Sequence, residues 1–183
     1  ADARTRGFLM GATSGRTTLM GEGLQHQDGH SLLLASTIPA CEAYDPAFAY
    51  ELGAIIDEGM ERMYPGGSID GEDVFYHIAI YNENYEQPPR PDHVDDADIT
   101  SGLYRFDLGP DLGDDALRAT ILFSGPAYLA AKEAQQILAE RYNVAAELWS
   151  ATSYKRLRED AIDVQRRNRL NPLDERLVPM LTR

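Results

Sequence analysis

A glycine-rich stretch near the N-terminus concentrates the residues best suited to proton chemistry. Residues 21–31 read Gly-Glu-Gly-Leu-Gln-His-Gln-Asp-Gly-His-Ser and contain two of the four histidines of the chain. An imidazole exchanges protons near neutral pH, and a nearby carboxylate can orient it or stabilise its cation. Glycine lets the backbone approach a ligand closely. The stretch therefore predicts a loop that presents His26 to a substrate, although a solvated turn without a chemical role fits the same composition.

Three other patterns have both a chemical and a plainer interpretation. The side chains of His26, Asp28 and His30 are of kinds that bind metal ions. The neighbouring glycines, however, disfavour a helix that would place the two histidines on one face. Cys41 lies in an apolar stretch, which favours a buried and inert thiol. Residues 81–85, Tyr-Asn-Glu-Asn-Tyr, end a predicted strand. Ligands bind at such ends in open parallel sheets, and Asn also suits an ordinary turn there.

The composition disfavours several classes of protein. The 183 residues include 17 Lys plus Arg and 30 Asp plus Glu, a net charge of −13. We therefore expect no nucleic-acid partner, because phosphate binding needs clustered cations. No apolar run approaches the roughly 18 residues of a membrane span, so no membrane association is expected. The single cysteine cannot form an internal disulfide, which favours a reducing compartment. The start at Ala1, without Met, favours a piece of a longer chain.

Charge is distributed unevenly along the chain. Residues 155–183 hold 8 cations and 5 anions, whereas residues 1–154 hold 9 cations and 25 anions. The Arg-Arg-Asn-Arg run at 166–169 fits an anion-binding surface or a solvated helix face. Residues 86–115 combine 9 carboxylates with four prolines. Because proline fixes φ and lacks a backbone donor, we expect a linker with little regular structure between two folded parts.

The apolar patterns on both sides of this linker predict α/β structure. Strand, helix and strand at these spacings imply parallel sheets. Asp-Pro is a favourable helix start, because Asp accepts from free N–H groups and Pro suits the first helical position. The expected elements are helical turns at 31–36, a strand at 38–44, a helix from Asp45-Pro46 to about Met63, strands at 74–81 and 119–123, a helix at 127–142, a strand at 144–150 and a helix at 154–169.

Six motifs occur together in an order that matches a known family. They are Gly-Arg-Thr-Thr-Leu at 15–19, Gly-Glu-Gly-Leu-Gln-His at 21–26, Asp-Gly-His-Ser at 28–31, Thr-Ile-Pro at 37–39, Tyr-Asp-Pro at 44–46 and Asn-Glu-Asn-Tyr at 82–85. The chain thereby resembles the homodimeric-type pyruvate dehydrogenase component, the thiamine diphosphate-dependent decarboxylase of the bacterial pyruvate dehydrogenase complex. A looser likeness continues through Tyr104 and residues 149–153, so it covers nearly the whole chain.

The resemblance implies an α/β fold made of parts of two transketolase-like parallel-sheet domains. Residues 1–86 would be the latter part of the thiamine pyrimidine-binding domain, 87–115 an acidic, Pro-rich linker, and 116–183 the beginning of the C-terminal domain. It also implies thiamine diphosphate as cofactor, with magnesium ligands outside this segment. Pyruvate would be the substrate of a cytoplasmic homodimer, and the lipoyl domain of dihydrolipoyl acetyltransferase its partner.

The resemblance also assigns roles to individual residues. His26 matches an active-site histidine that lines the thiamine pocket, and we expect it to be catalytic together with Glu22. Gln25, Asp28 and His30 are expected to line or support the active site, and no metal ligand is expected here. The isolated segment is expected to be inactive. A non-catalytic α/β binding or assembly module, whose glycine-rich loop contacts a partner protein, is the competing hypothesis.

Overall fold

A computed structural model describes residues 3–11, 28–81 and 84–182. Within these ranges no helix combines the length and the apolar character that a bilayer span requires. In chain order the elements are β1 (Gly7–Gly11), α1 (Ser31–Ala35), β2 (Cys41–Tyr44), α2 (Ala49–Met63), a 3₁₀ turn (Pro65–Gly67), β3 (Phe75–Ala79), α3 (Asp96–Ser101), β4 (Tyr104–Asp107), β5 (Leu117–Phe123), α4 (Ala127–Tyr142), β6 (Val144–Ser150), α5 (Tyr154–Leu170) and a 3₁₀ turn (Met180–Thr182).

The first sheet is parallel, with its strands in the order β1-β3-β2. Successive side chains of a strand point to opposite faces, so each face packs against a different helix. Tyr76 and Ile78 share a core with Ile55 of α2. On the opposite face, Cys41 and Ala43 pack with the end of α1. The predicted strand–helix–strand unit and its parallel pairing are thus confirmed.

The second sheet is mixed, with its strands in the order β4-β6-β5. β5 and β6 are parallel and are joined by α4, as predicted. β4, a strand that the sequence did not predict, runs antiparallel to β6 and adds a reversed edge strand to the expected parallel pair. The reversal follows from the connection between β4 and β5, at 108–116, which contains no helix and is shorter than the crossover of about a dozen residues that parallel strands require.

The stretch at 87–115 contains the helix α3 and the strand β4, which corrects the expectation of a linker with little regular structure. Asp95 accepts a hydrogen bond from the Asp98 N–H (2.9 Å), and the Asp98 carboxylate accepts one from the Asp95 N–H (3.0 Å). This reciprocal cap starts α3, and Gly102, at φ +109°, ends it. Two of the acidic residues that make this stretch look like a linker therefore cap a helix. The prolines of the stretch lie outside α3 and β4. The domain boundaries themselves remain a prediction.

The two sheets share apolar cores across the predicted boundary. Val94 and Ile99 pack in the same buried cluster as Ile55. A second cluster joins Phe48, just before α2, to residues of the second sheet and α4, and its ring lies 4.8 Å from the Tyr128 ring, edge to face. The carboxyl ends of strands from both sheets are therefore held close together.

Candidate active site

The strand that precedes the glycine-rich stretch ends at the carboxyl edge of the first sheet. Gly11, the last residue of β1, pairs with Ala79 and accepts a hydrogen bond from the Ile80 N–H (3.0 Å). The predicted catalytic residues Glu22 and His26, together with Gln25, lie outside the described residues. Ligands of open parallel sheets bind at the carboxyl ends of strands, so β1 ends at a position suited to a ligand site.

Asp28 shapes the end of this loop and the start of α1. Its carboxylate accepts hydrogen bonds from the N–H groups of Ser31 (2.9 Å) and His30 (3.2 Å). Burial acts to raise the pKa of Asp28, but these hydrogen bonds and nearby His77 lower it overall. The carboxylate therefore stays ionised at neutral pH. His30 immediately precedes α1. Its side chain is exposed and makes no capping hydrogen bond to that helix.

His77 lies on the central strand beneath the same region. Its Nε2 atom is buried and finds no hydrogen-bond partner in the part of the chain that the structure describes. Its strand position lies between Leu9 of β1 and Ala43 of β2.

Asp45 ties the carboxyl edges of the two sheets together. Its buried carboxylate accepts hydrogen bonds from the Tyr81 hydroxyl (2.5 Å) and the Ser124 hydroxyl (2.9 Å). Its N–H donates to the Thr152 carbonyl (2.8 Å). Tyr81 follows β3, Ser124 follows β5 and Thr152 follows β6. Asp45 therefore joins the ends of three strands. The expectation that Asp45 starts α2 is wrong, because that helix begins at Ala49 after Phe48.

Gly125 permits this close approach. It has φ +50°, and a Cβ there would lie 2.6 Å from the Tyr81 ring and 2.9 Å from the Asp45 carboxylate. Glycine adopts such a left-handed conformation without a steric penalty. The Gly125 N–H also donates to the Asp45 carbonyl (3.2 Å), so the turn after β5 fits directly against the first sheet.

Glu51 forms a second polar link, at the start of α2. One carboxylate oxygen accepts from the N–H groups of Ala47 (2.5 Å) and Phe48 (3.1 Å). The other accepts from the hydroxyls of Tyr104 and Ser150, each at 2.6 Å. Burial raises the pKa of Glu51, while the hydrogen bonds oppose that rise. This carboxylate therefore joins the N-terminus of α2 to β4 and β6.

Lys155 supplies a third link, from the first turn of α5 to the start of β2 and the residues just before it. Its side chain is only 1% exposed, and its ammonium group donates to the carbonyls of Ile38 (3.2 Å), Pro39 (3.4 Å) and Cys41. The Glu159 carboxylate lies 3.3 Å from the ammonium nitrogen. Carbonyl dipoles and this carboxylate compensate a buried positive charge.

An aromatic cleft of about 280 Å³ opens at the carboxyl edge of β3. Phe48, Tyr81 and Tyr85 supply rings to its wall, and Leu52 and Ala79 add aliphatic surface. The hydroxyls of both tyrosines are already bonded, to the Asp45 carboxylate and the Ala47 carbonyl. The cleft therefore presents ring and aliphatic surface rather than charge.

The sequence analysis did not anticipate the polar links between the strand ends. Asp45, Glu51 and Lys155 received no such role, since their partners are distant in sequence. One sequence signal could have pointed to Asp45: it is an acidic residue directly after a predicted strand, where ligand sites of parallel sheets lie. Cys41 is buried as predicted, and burial raises the pKa of its thiol. In the described ranges, no three His, Cys, Asp or Glu side chains are placed to hold a metal ion.

Solved structures of transketolases are similar to this fold. The Campylobacter jejuni transketolase superposes with a TM-score of 0.58 at 14% identity, over 87% of this chain and 22% of that chain. An inactive β4 tetramer of a split-gene transketolase gives a TM-score of 0.53 at 19% identity, over 89% of this chain and 43% of that one. At these identities the likeness concerns the fold, and it confirms the expected transketolase-like α/β class.

Sequence comparison gives a more specific result. Residues 1–88 match the family model "Pyruvate dehydrogenase E1 component middle domain". The chain is 46% identical over 183 residues to the pyruvate dehydrogenase E1 component of Mycobacterium tuberculosis, and 42% identical over 180 residues to that of Escherichia coli K12. It covers 19% and 20% of the length of these relatives. The chain therefore corresponds to one segment of the pyruvate dehydrogenase E1 components that it matches.

Proposed function

We propose that this chain is a working part of a thiamine diphosphate-dependent pyruvate dehydrogenase. The whole protein would decarboxylate pyruvate and transfer the acetyl group to a lipoyl domain of its acetyltransferase partner. We further propose that it acts as a homodimer in the cytoplasm. The observation that carries the proposal is 46% identity along all 183 residues to a protein named pyruvate dehydrogenase E1 component. This likeness favours an enzyme segment over a non-catalytic assembly module.

The described residues fit the ring portion of thiamine diphosphate. Tyr81 and Tyr85 would hold a heteroaromatic ring by packing, because the cleft that they line is aromatic and their hydroxyls are already bonded within the protein. We place the magnesium ligands and the diphosphate contacts outside this segment. When bound, thiamine diphosphate supplies the carbanion chemistry that releases carbon dioxide from pyruvate.

We assign proton handling to His26. An imidazole near its ordinary pKa can donate a hydrogen bond to a substrate oxygen or accept a proton from it. Glu22 would orient this imidazole, and Gln25 and His30 would line the site. Asp28 would fix the end of the loop, since its carboxylate holds two consecutive N–H groups before α1.

Replacing His26 in the intact enzyme tests this assignment. We expect His26→Ala to lower kcat with pyruvate by at least about tenfold, because a positioned acid or base contributes about 10²–10⁴-fold. His93→Ala is the matched control, since His93 is exposed and its Nε2 lies 3.0 Å from the Arg105 carbonyl in another part of the chain. Wild-type turnover in His26→Ala, with unchanged circular dichroism, would refute the assignment.

Calorimetry with the intact protein separates the enzyme from an assembly module. An enzyme segment requires that the whole protein binds thiamine diphosphate with magnesium. If the folded, intact protein shows no heat of binding for this cofactor, the proposed function is wrong and the assembly module is favoured.

A further inference from the structure

The two tyrosines that line the aromatic cleft are braced from behind by the second sheet and by α4. The Tyr85 ring packs against the buried cluster that contains Phe123 of β5, and its centroid lies 6.2 Å from that of Tyr128 in α4. The Tyr81 ring meets the turn after β5, where a Cβ on Gly125 would lie only 2.6 Å away. The shape of the cleft therefore depends on residues outside its lining.

Asp45 holds Tyr81 at the other end of its side chain. The Tyr81 hydroxyl donates to the Asp45 carboxylate (2.5 Å), which also accepts from the Ser124 hydroxyl (2.9 Å). Asp45 is only 2% exposed, so the carboxylate is withdrawn from bulk water. Hydrogen bonds to a carboxylate are roughly twice as strong as those between neutral groups. The Tyr81 side chain is thus fixed at its hydroxyl and packed closely along its ring.

The backbone of Asp45 is itself held by the second half of the fold. Its N–H donates to the Thr152 carbonyl (2.8 Å), and its carbonyl accepts from the Gly125 N–H (3.2 Å). Thr152 is fully buried, and its hydroxyl donates to the Ile99 carbonyl (2.6 Å). The carboxylate that orients Tyr81 therefore has a rigid support, which an ordered binding wall requires.

We propose that Asp45 is a positioning residue for the cofactor site: through the Tyr81 hydroxyl it fixes one wall of the aromatic cleft before the ring of thiamine diphosphate binds. The proposal rests on the proposed function, which assigns this cleft to that ring. Among the described residues, Asp45 is not part of the cleft lining, so it acts on the ligand through Tyr81. A wall that is ordered before binding increases affinity, because no side-chain freedom is then lost on binding.

A double-mutant cycle on the full-length protein tests the proposal, with calorimetry giving Kd for thiamine diphosphate in the presence of magnesium. Tyr81→Phe keeps the ring and removes its hydrogen bond to Asp45. Asp45→Asn keeps the shape of the side chain, but a neutral amide accepts hydrogen bonds less strongly than a carboxylate. Tyr44→Phe is the matched control, because Tyr44 is buried in a core cluster and its hydroxyl donates to the Thr100 carbonyl (2.8 Å) rather than to a cleft residue.

We expect Tyr81→Phe and Asp45→Asn each to raise Kd about three- to tenfold, the effect of having to immobilise one side chain on binding. Tyr44→Phe should stay within about twofold of the wild-type protein, since it leaves the cleft intact. The combined variant should bind as Tyr81→Phe does, because Asp45 acts through the hydroxyl that is already absent. A merely structural role would lower the melting temperature in all these variants without separating their Kd values.

The outcomes distinguish this proposal from the proposed function. If the wild-type protein binds the cofactor but either single variant binds it as tightly as Tyr44→Phe does, Asp45 does not position the wall, and only the present proposal is wrong. The same conclusion follows if the effects of Tyr81→Phe and Asp45→Asn multiply in the combined variant. Absence of binding by the folded wild-type protein would overturn both proposals.

Discussion

Replacing Glu51 tests whether one buried carboxylate holds the two halves of this fold together. Glu51 is fully buried and accepts four hydrogen bonds. In Glu51→Ala, the Tyr104 hydroxyl keeps a partner in the Tyr50 hydroxyl, 2.7 Å away. The N–H groups of Ala47 and Phe48 lose their acceptor. An unsatisfied buried donor costs about 1–3 kcal/mol, so we expect a loss of about 2–6 kcal/mol.

The Glu51→Gln variant separates hydrogen bonding from charge. Its amide oxygen can still accept from the two N–H groups, and its NH₂ can donate to hydroxyls that rotate to accept. We therefore expect a loss below about 2 kcal/mol. The pKa of Glu51 is raised in the folded protein, so its stabilising contribution is full at low pH and declines as pH rises from its ordinary value of 4.5 through the folded value. Glu51→Gln should remove this decline.

Hydrogen exchange followed by mass spectrometry, on the intact protein, measures the loss locally. A factor of ten in exchange corresponds to about 1.4 kcal/mol, so peptides covering 45–63 and 144–153 should exchange about 30-fold to 10⁴-fold faster in Glu51→Ala. Asp57→Ala is the control, because Asp57 is exposed on the same helix. If Glu51→Ala exchanged like this control, the carboxylate would not link the halves and the reasoning would be refuted.

Three further substitutions test the other contacts. Lys155→Met should lower the free energy of unfolding by about 2–4 kcal/mol, because buried carbonyls lose their hydrogen-bond donor. The control Lys132→Met removes a half-exposed ion pair and should lower it by at most about 1 kcal/mol, as urea unfolding of both variants would measure. Gly125→Ala should lower the melting temperature more than Gly66→Ala, because both have positive φ but only Gly125 is crowded; equal shifts would contradict the crowding. Burial acts to raise the pKa of Asp107, but its contact with Lys132 lowers that pKa overall, so the contact stabilises the fold above pH 3.8 and is lost as pH falls through the folded pKa. Melting curves over a pH series should therefore show a smaller fall in melting temperature at acid pH for Asp107→Asn than for the wild-type protein.

Most individual elements were predictable from the sequence because their signals are local. The apolar periodicity of α2 and the β-branched run of β3 each lie within one short window. The helix α3 was missed for the same reason, since prolines and carboxylates around it dominate the local composition. Its Asp95–Asp98 cap was present in the sequence but was outweighed by that composition.

The site around these elements depended on tertiary structure. Asp45 bonds Tyr81 and Ser124, which are 36 and 79 residues away, and Glu51 bonds Ser150, 99 residues away. No local pattern specifies such partners, because they meet only when the carboxyl ends of two sheets are packed together. The direction of β4 was undetermined for a related reason, since pairing depends on where its connection enters the sheet.

The arginines of α5 illustrate the same division between sequence and structure. The sequence alone determined their number, their helical spacing and the excess of positive charge over residues 155–183. Whether a carboxylate neutralises each of them depends on which side chains come within about 4 Å in three dimensions. Only the tertiary structure decided that, because ion pairing acts over distance in space, whereas the sequence records only distance along the chain.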